Sequence, residues 1–246
     1  MTLDHDLPVL ATIQVLSHKL LVPSVPAASW LYREIVVDRA YDLFSTTKFR
    51  TIIDGGANIG AAASFFLQSH PMSHVTCFEP DPLSFAFLQA NIARNGVAHR
   101  VRCVNVAVSD RDGSRTFFSS PAGEGYNLRM SMDPDRLGIA GPRTRVRTVS
   151  LVPFLKRNVD LLKLDVEGAE FAVVADLSQH DGFARIANIV IEVHHYPCRM
   201  GRLGAILATL EASGYALTLS ADAVTGDGSR RCQDILVAGT RLPPGP

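Results

Sequence analysis

The residues with most chemical potential stand where short apolar runs end. Ile52-Ile53-Asp54-Gly55-Gly56-Ala57-Asn58-Ile59-Gly60 is a β-branched run that closes on an acid and glycines before the helix-compatible Ala61 to Leu67. It reads as strand, tight turn and helix. Such a junction brings a ligand to a helix N-terminus, and glycine lets the backbone approach it without a Cβ in the way.

Charge selects the ligand. Helix N-termini favour anions, but Asp54 would repel a pyrophosphate and attract a ligand carrying an ammonium and a sulfonium. The glycines do not fall into G-x-G-x-x-G, and no G-K-[ST] follows. S-adenosylmethionine therefore fits better than NAD or ATP, with Asp54, Gly55, Gly56, Asn58 and Gly60 as its first contacts. A second run, Val75-Thr76-Cys77-Phe78-Glu79-Pro80, ends in an acid near the offset, about 20 positions, at which a Rossmann acid meets a ribose. Glu79 is the candidate for the ribose hydroxyls. Val101 to Val108 reads as a third strand, with Asn105 and Ala107 at its end as candidates for the adenine edge; Asn105 could equally tie down a loop.

A second acidic group follows. Val159 to Asp165 reads as a strand that leads into Val166-Glu167-Gly168-Ala169-Glu170, and Ile186 to Val193 is followed by His194 and His195, with Glu192 near its end. Acids this dense at a buried strand end repel unless paired, and Lys163 or backbone amides would supply the pairing. Glu192 and His194 share one strand face, with His195 opposite. Between these blocks, Ser119 to Arg147 loses periodicity, a length of loop that is usually functional or disordered. There Arg143, Arg145 and Arg147 alternate on one strand face. They could clamp an anionic acceptor, although a solvated face is the commoner reason for such a pattern.

The elements that must position these groups alternate. Strands at 52–54, 75–80, 101–108, 159–165 and 186–193 are separated by helices near 61–70, 83–96 and 170–177, and helix 203–212 leads to a final antiparallel pair, 215–220 and 234–238. Alternation predicts a doubly wound α/β sheet. Residues 1–50 read as a helical extension interrupted by Pro23 and Pro26, and 51–246 as the catalytic domain.

Composition narrows the partners. At 246 residues and 47% hydrophobic the chain can bury one sizeable core, and its 24 basic and 24 acidic residues cancel. That balance gives no footprint for nucleic acid or an anionic membrane and favours a small-molecule or glycan partner. The cysteines, Cys77, Cys103, Cys198 and Cys232, form no C-x-x-C pair, and Asp4 and Asp6 stand where a signal peptide would be positive. A cytoplasmic location is expected. No heptad marks an oligomer, and a homo-oligomer is compatible with the sequence.

At Asp54-Gly55-Gly56-Ala57-Asn58-Ile59-Gly60, Phe78-Glu79-Pro80, Leu162-Lys163-Leu164-Asp165-Val166-Glu167-Gly168-Ala169-Glu170 and Ile191-Glu192-Val193-His194 the chain resembles the FkbM-like family of S-adenosylmethionine-dependent methyltransferases, over roughly residues 35 to 215. The resemblance implies a Rossmann-like class I methyltransferase fold, a seven-stranded, mostly parallel sheet with an antiparallel terminal strand. It also implies O-methylation of hydroxyls on sugars and other natural products, carboxylates being an alternative acceptor. One departure is that Val152 follows Leu151 where the family often has an acid, so no role is carried to that position.

His194 is the first choice for general base, because an imidazole titrates near neutrality; it could instead bond Glu192 and shape the pocket. Asp165 and Glu192 would assist, and Asp165 also belongs to the cofactor contacts. Glu167, His195, Arg143 and Arg145 are the acceptor-side candidates. Asp165, Glu192 and His194 could ligate a magnesium-like ion, but no diagnostic metal motif is present and none is expected. A nicotinamide oxidoreductase and a non-catalytic cofactor-binding module are the competing classes.

Overall fold

The computed structural model describes residues 7–9, 11–38, 40–41, 47–119, 130–131, 143–195, 202–221 and 233–243. Expectations for Phe44, most of Ser119 to Arg147, Cys198, Gly226, Gly228, Cys232 and residues 244–246 lie outside them. Among the described residues no helix is long and apolar enough to cross a membrane.

The N-terminal extension departs from its expected helical form. It opens with an antiparallel hairpin, β1 (Ala11–Val15) and β2 (His18–Val22). Inward Ile13, Val15, Leu20 and Val22 follow strand alternation. The turn has no glycine or asparagine, and Leu16 itself takes the left-handed conformation, φ 50°. The prolines do not break a helix here. Ser24 caps α1 (Val25–Tyr32), its side chain accepting from Ala27 N, and Pro26 occupies the first turn, where a missing N–H costs nothing. A π-helical turn, Arg33–Val37, continues it. Asn91 ties the hairpin down, accepting from Leu21 N at 2.7 Å and donating to Leu21 O and Ile59 O.

From there the sequence pattern and the fold agree closely. β3 (Thr51–Gly55) leads to α2 (Ala61–Ser69), β4 (His74–Phe78) to α3 (Pro82–Arg94), and α3 to β5 (Val101–Val104). Asp81 caps α3 by accepting from Ser84 N at 2.7 Å, with Pro82 at the first position. The expected strand Val101 to Val108 is broken at Asn105. β6 (Ala107–Val108) leaves the main sheet and, with β7 (Gly113–Ser119), β8 (Met130–Ser131) and β9 (Arg143–Val149), forms a second sheet in the order β6-β9-β7-β8. β10 (Val159–Leu164), α4 (Glu170–Gln179), β11 (Ile186–His195), α5 (Arg202–Ala212), β12 (Tyr215–Ala221) and β13 (Gln233–Arg241) complete the chain.

The main sheet has seven strands in the order β12-β13-β11-β10-β3-β4-β5, and β13 alone runs antiparallel to its neighbours. Order reverses between β3 and β10, the place where open α/β sheets leave a crevice at their carboxyl ends. Alternation then sorts side chains. Ile52, Leu161, Val190 and Ala238 belong to the core under the N-terminal elements, α2 and α3, while Ile53, Leu162, Ile191 and Val237 belong to the opposite core under α4 and α5. Continuing along the first face toward the strand ends places Asp54, Lys163, Glu192, His194 and Asp234 together beyond the apolar row.

Candidate active site

The glycine turn forms one wall of a cleft lined by Gly56, Asn58, Glu79, Ala107, Phe117 and Asp165, among others. Gly56 N and Ala57 N both donate to Phe78 O at 2.9 Å, so the turn is locked onto the end of β4. Gly56 has φ +82°, and a Cβ there would lie 1.7 Å from the Asp165 carbonyl oxygen. Only glycine permits this approach. Asn58 also has positive φ, a conformation asparagine tolerates, and its buried Oδ1 has no hydrogen-bond partner among the described residues.

Glu79 faces the same cleft. Its Oε2 accepts from Asn58 N and its Oε1 from Asp81 N, each at 2.8 Å. Burial raises its pKa to about 8, against the opposing pull of those two amides. Asn105 takes the structural option: its amide donates to Glu79 O at 2.8 Å and to Pro80 O, fixing the corner after β5, whereas Ala107 lines the cleft.

Asp54, Gly55 and Gly60 stand behind the turn rather than among the cleft-lining residues. Asp54 is fully buried, and Lys163, its register partner on β10, places Nζ 3.3 Å from Asp54 Oδ1, 3.6 Å from Asp165 Oδ2 and 2.8 Å from Gly56 O, to which it donates. Burial raises the Asp54 pKa, and the lysine opposes this. Burial lowers that of Lys163, but Asp54, Asp165, Glu34 and Glu192 outweigh it and the net shift is upward. Gly60, φ +88°, begins α2 with its Cβ position 2.8 Å from Leu88 Cδ1, so it serves packing against α3.

His194 is the centre of the acidic group beside the cleft, and its side chain is wholly inaccessible. Nδ1 lies 2.8 Å from Glu170 Oε1, the same oxygen that accepts from Gly168 N at 2.9 Å. An oxygen already accepting makes Nδ1 the donor, which leaves the lone pair on Nε2. Nε2 faces Glu192 Oε1 at 3.5 Å and one oxygen each of Asp165, Glu167 and Asp234 at 3.8 Å. The turn between β10 and α4 makes this convergence possible, with Glu167 at φ 55° and Gly168 at φ 100°. The Glu192 pKa is raised well above the ordinary carboxylate value by burial, then by repulsion from Asp165, Glu34, Asp234 and Glu167.

Two members were missed in the sequence. Glu34, from the N-terminal π-helical turn, accepts from Tyr41 Oη at 3.0 Å and is pushed up to about 7 by burial and Asp165. Asp234 is the cross-strand partner of His194 on the antiparallel strand. Three expected acceptor-side residues do not join them. His195 lies on the opposite strand face, and Arg143 and Arg145 are exposed on the face of β9 away from inward-pointing Val146. Arg145 Nε donates to Ser114 Oγ, and the Arg143 guanidinium stacks over Phe118 at 5.6 Å, so the solvated-face reading describes them.

The cleft suits a cationic nucleoside. Its wall carries Glu79, Asp165, Glu167 and the Asn58 amide oxygen, which has no partner among the described residues; these are acceptors for an ammonium and ribose hydroxyls and negative charge for a sulfonium, and they repel a pyrophosphate. One expected result follows from Glu79. Cofactor binding to the ionised carboxylate releases a proton near neutrality, so affinity for S-adenosylhomocysteine rises from pH 6 toward about pH 8 and then levels off. Calorimetry in buffers of different ionisation enthalpy detects that proton; Glu79→Gln removes both the proton and the slope.

Comparison with known proteins agrees with this geometry. Residues 54–217 match the family described as Methyltransferase FkbM domain. The chain is 32% identical over 251 aligned residues to 31-O-demethyl-FK506 methyltransferase FkbM of Streptomyces tacrolimicus, covering 87% of each protein. It is 34% identical over 140 residues to 2-O-methyltransferase NoeI of Sinorhizobium fredii, covering 50% of this chain and 56% of that one. Among solved structures, TYW2 of M. jannaschii in complex with AdoMet superposes with a TM-score of 0.50 at 10% identity, over 94% of this chain and 86% of that one, a likeness of fold. With the profile match spanning the glycine turn, the Lys163 strand and the His194 strand, this chain belongs to the FkbM family of S-adenosylmethionine-dependent methyltransferases.

Proposed function

We propose that the protein methylates a hydroxyl oxygen of a small-molecule natural product or sugar. The observation that carries this is the histidine-centred carboxylate group that adjoins the cofactor cleft through Asp165. S-adenosylmethionine, when bound, supplies an electrophilic methyl group on a sulfonium. What this chain must add is alignment of the acceptor and a destination for its proton. Asp165 belongs to both the cleft and the acidic group, so it links cofactor and acceptor. Glu34 and Tyr41 bring the N-terminal segment to the same group, where it would shield the reacting oxygen from water. Relatives whose names specify 31-O and 2-O methyl transfer support oxygen as the acceptor atom. The free cysteines Cys77 and Cys103 suit action in the reducing cytoplasm.

The test is transfer of isotopically labelled methyl from S-adenosylmethionine to a panel of polyketide and sugar hydroxyls, with the product bond assigned by NMR. Label in a new C–O–CH₃ group is the expected result. Label solely on nitrogen, sulfur or carbon acceptors, or no transfer by cofactor-saturated enzyme to any hydroxyl, would refute the proposal. His194→Ala is expected to lower kcat by about 100-fold or more with cofactor affinity unchanged, because the histidine is the centre of the group that adjoins the cleft.

A further inference from the structure

We propose that His194, Asp165 and Glu167 form a binding site for one hard divalent cation of the magnesium or manganese class, placed beside the cofactor cleft and bordered by Glu192 and Asp234. The inference rests on the proposed oxygen acceptor only for its catalytic meaning; the site itself rests on geometry. His194 Nε2 is fully buried and has no hydrogen-bond partner among the described residues. Its other nitrogen is committed as donor to Glu170, so a lone pair points at carboxylate oxygens 3.5 to 3.8 Å away. That spacing is too long for hydrogen bonds and too close for uncompensated repulsion.

A cation removes the conflict. Ligand atoms about 2.1 Å from an octahedral ion stand about 3 Å apart when adjacent and about 4 Å apart when opposite. The nitrogen-to-oxygen distances here fall within that span, and the ligand atoms of Glu192, His194 and Asp234 all lie within 4.8 Å of one another, as do those of Asp165, Glu167 and His194. Buried Asp165 Oδ1 likewise lacks a hydrogen-bond partner, while its Oδ2 faces Lys163, so its two oxygens divide between lysine and cation. The carboxylate-dominated donor set with a single imidazole selects magnesium or manganese over the thiolate-seeking metals. Glu170 then takes the role of the carboxylate that orients a metal-ligating histidine.

In the reaction this assigns the His194 nitrogen to the ion instead of to the proton. The acceptor O–H bond breaks with its proton passing to a cluster carboxylate and on to water. The oxygen electron pair forms the C–O bond as the C–S bond breaks, and a neutral thioether leaves.

The probe is Mn²⁺ alone, titrated into the full chain and followed by calorimetry and by loss of the free-ion EPR signal. One saturable site is expected. His194→Ala and the near-isosteric Asp165→Asn should abolish it, and Glu170→Gln should weaken it by about tenfold or more through the lost orientation of the ring. Cooperative thermal unfolding certifies that each variant is folded; if His194→Ala fails that check, Asp165→Asn and Glu170→Gln carry the comparison. No Mn²⁺ bound by wild type, with or without S-adenosylhomocysteine, or equal binding in all variants, would overturn the site; undiminished methyl transfer in excess chelator would overturn its catalytic role. Mn²⁺ binding lost in the variants, together with no transfer to any hydroxyl, would uphold the site and defeat the oxygen-acceptor reading.

Discussion

Gly56→Ala is expected to abolish S-adenosylhomocysteine binding and to destabilise the fold by about 2 to 4 kcal/mol. The added methyl would stand 1.7 Å from the Asp165 carbonyl oxygen and 2.8 Å from its carbon. Backbone, not a flexible side chain, is in the way, and it cannot retreat cheaply. Asp165 N donates to Gly55 O at 2.9 Å, and Lys163 Nζ holds Gly56 O at 2.8 Å, so moving either strand end breaks both contacts and displaces Asp165 from the cleft. The left-handed φ adds its own penalty for alanine. Gly96→Ala is the control. It has φ +69° but nothing within 4 Å of its Cβ position, so the cost should be only about 1 kcal/mol, with cofactor binding intact. Chemical denaturation and calorimetry measure both effects.

Lys163→Met is expected to cost about 3 to 5 kcal/mol, because it strands Asp54 as an unpaired charge in a site with no exposure. Both groups are buried, so solvent screening does not soften the loss. The pH dependence has a definite sign. Asp54 in the folded protein already titrates above its ordinary 3.8, and without the lysine its pKa rises further. A carboxyl whose pKa is raised by folding contributes most below its unfolded value and loses that contribution as pH climbs toward the folded one. The destabilisation in Lys163→Met should therefore be smallest below about pH 4 and grow toward neutrality. Adding Asp54→Asn should recover a substantial part of it, a coupling that a double-mutant cycle in urea would reveal. Equal loss at acid and neutral pH, or no recovery in the double variant, would show that the lysine acts through packing alone.

The parts of the fold that sequence made legible are those governed by local rules. Strand ends at Asp54, Glu79 and Asp165 follow from apolar runs broken by acids and glycines. The N-terminal hairpin was hidden because its turn uses Leu16 in a left-handed conformation, with none of the residues that advertise such a turn. The third strand was read too long because Val106 continues the apolar run while Asn105 turns the chain into another sheet.

In the site, period-two alternation correctly joined Glu192 to His194 and set His195 apart. Lys163 as the relief for crowded acids was also foreseeable, since it shares a face with Asp165. Asp234 and Glu34 were not. The first depends on the antiparallel register of a strand that follows a long connection, the second on how the N-terminal segment docks, and neither is encoded near the residue itself. Asp54 illustrates the same limit. Its position at the strand end was legible, but its pairing with the lysine opposite it depends on the register of β10 against β3.

The central claim, that the Gly56, Asn58 and Glu79 cleft binds S-adenosylmethionine, is tested most directly by titrating S-adenosylhomocysteine into wild type and Glu79→Ala by calorimetry. The account predicts single-site binding by wild type and affinity about 100-fold weaker in the variant, whose thermal unfolding stays cooperative. No binding by wild type, or undiminished binding by Glu79→Ala, would contradict it.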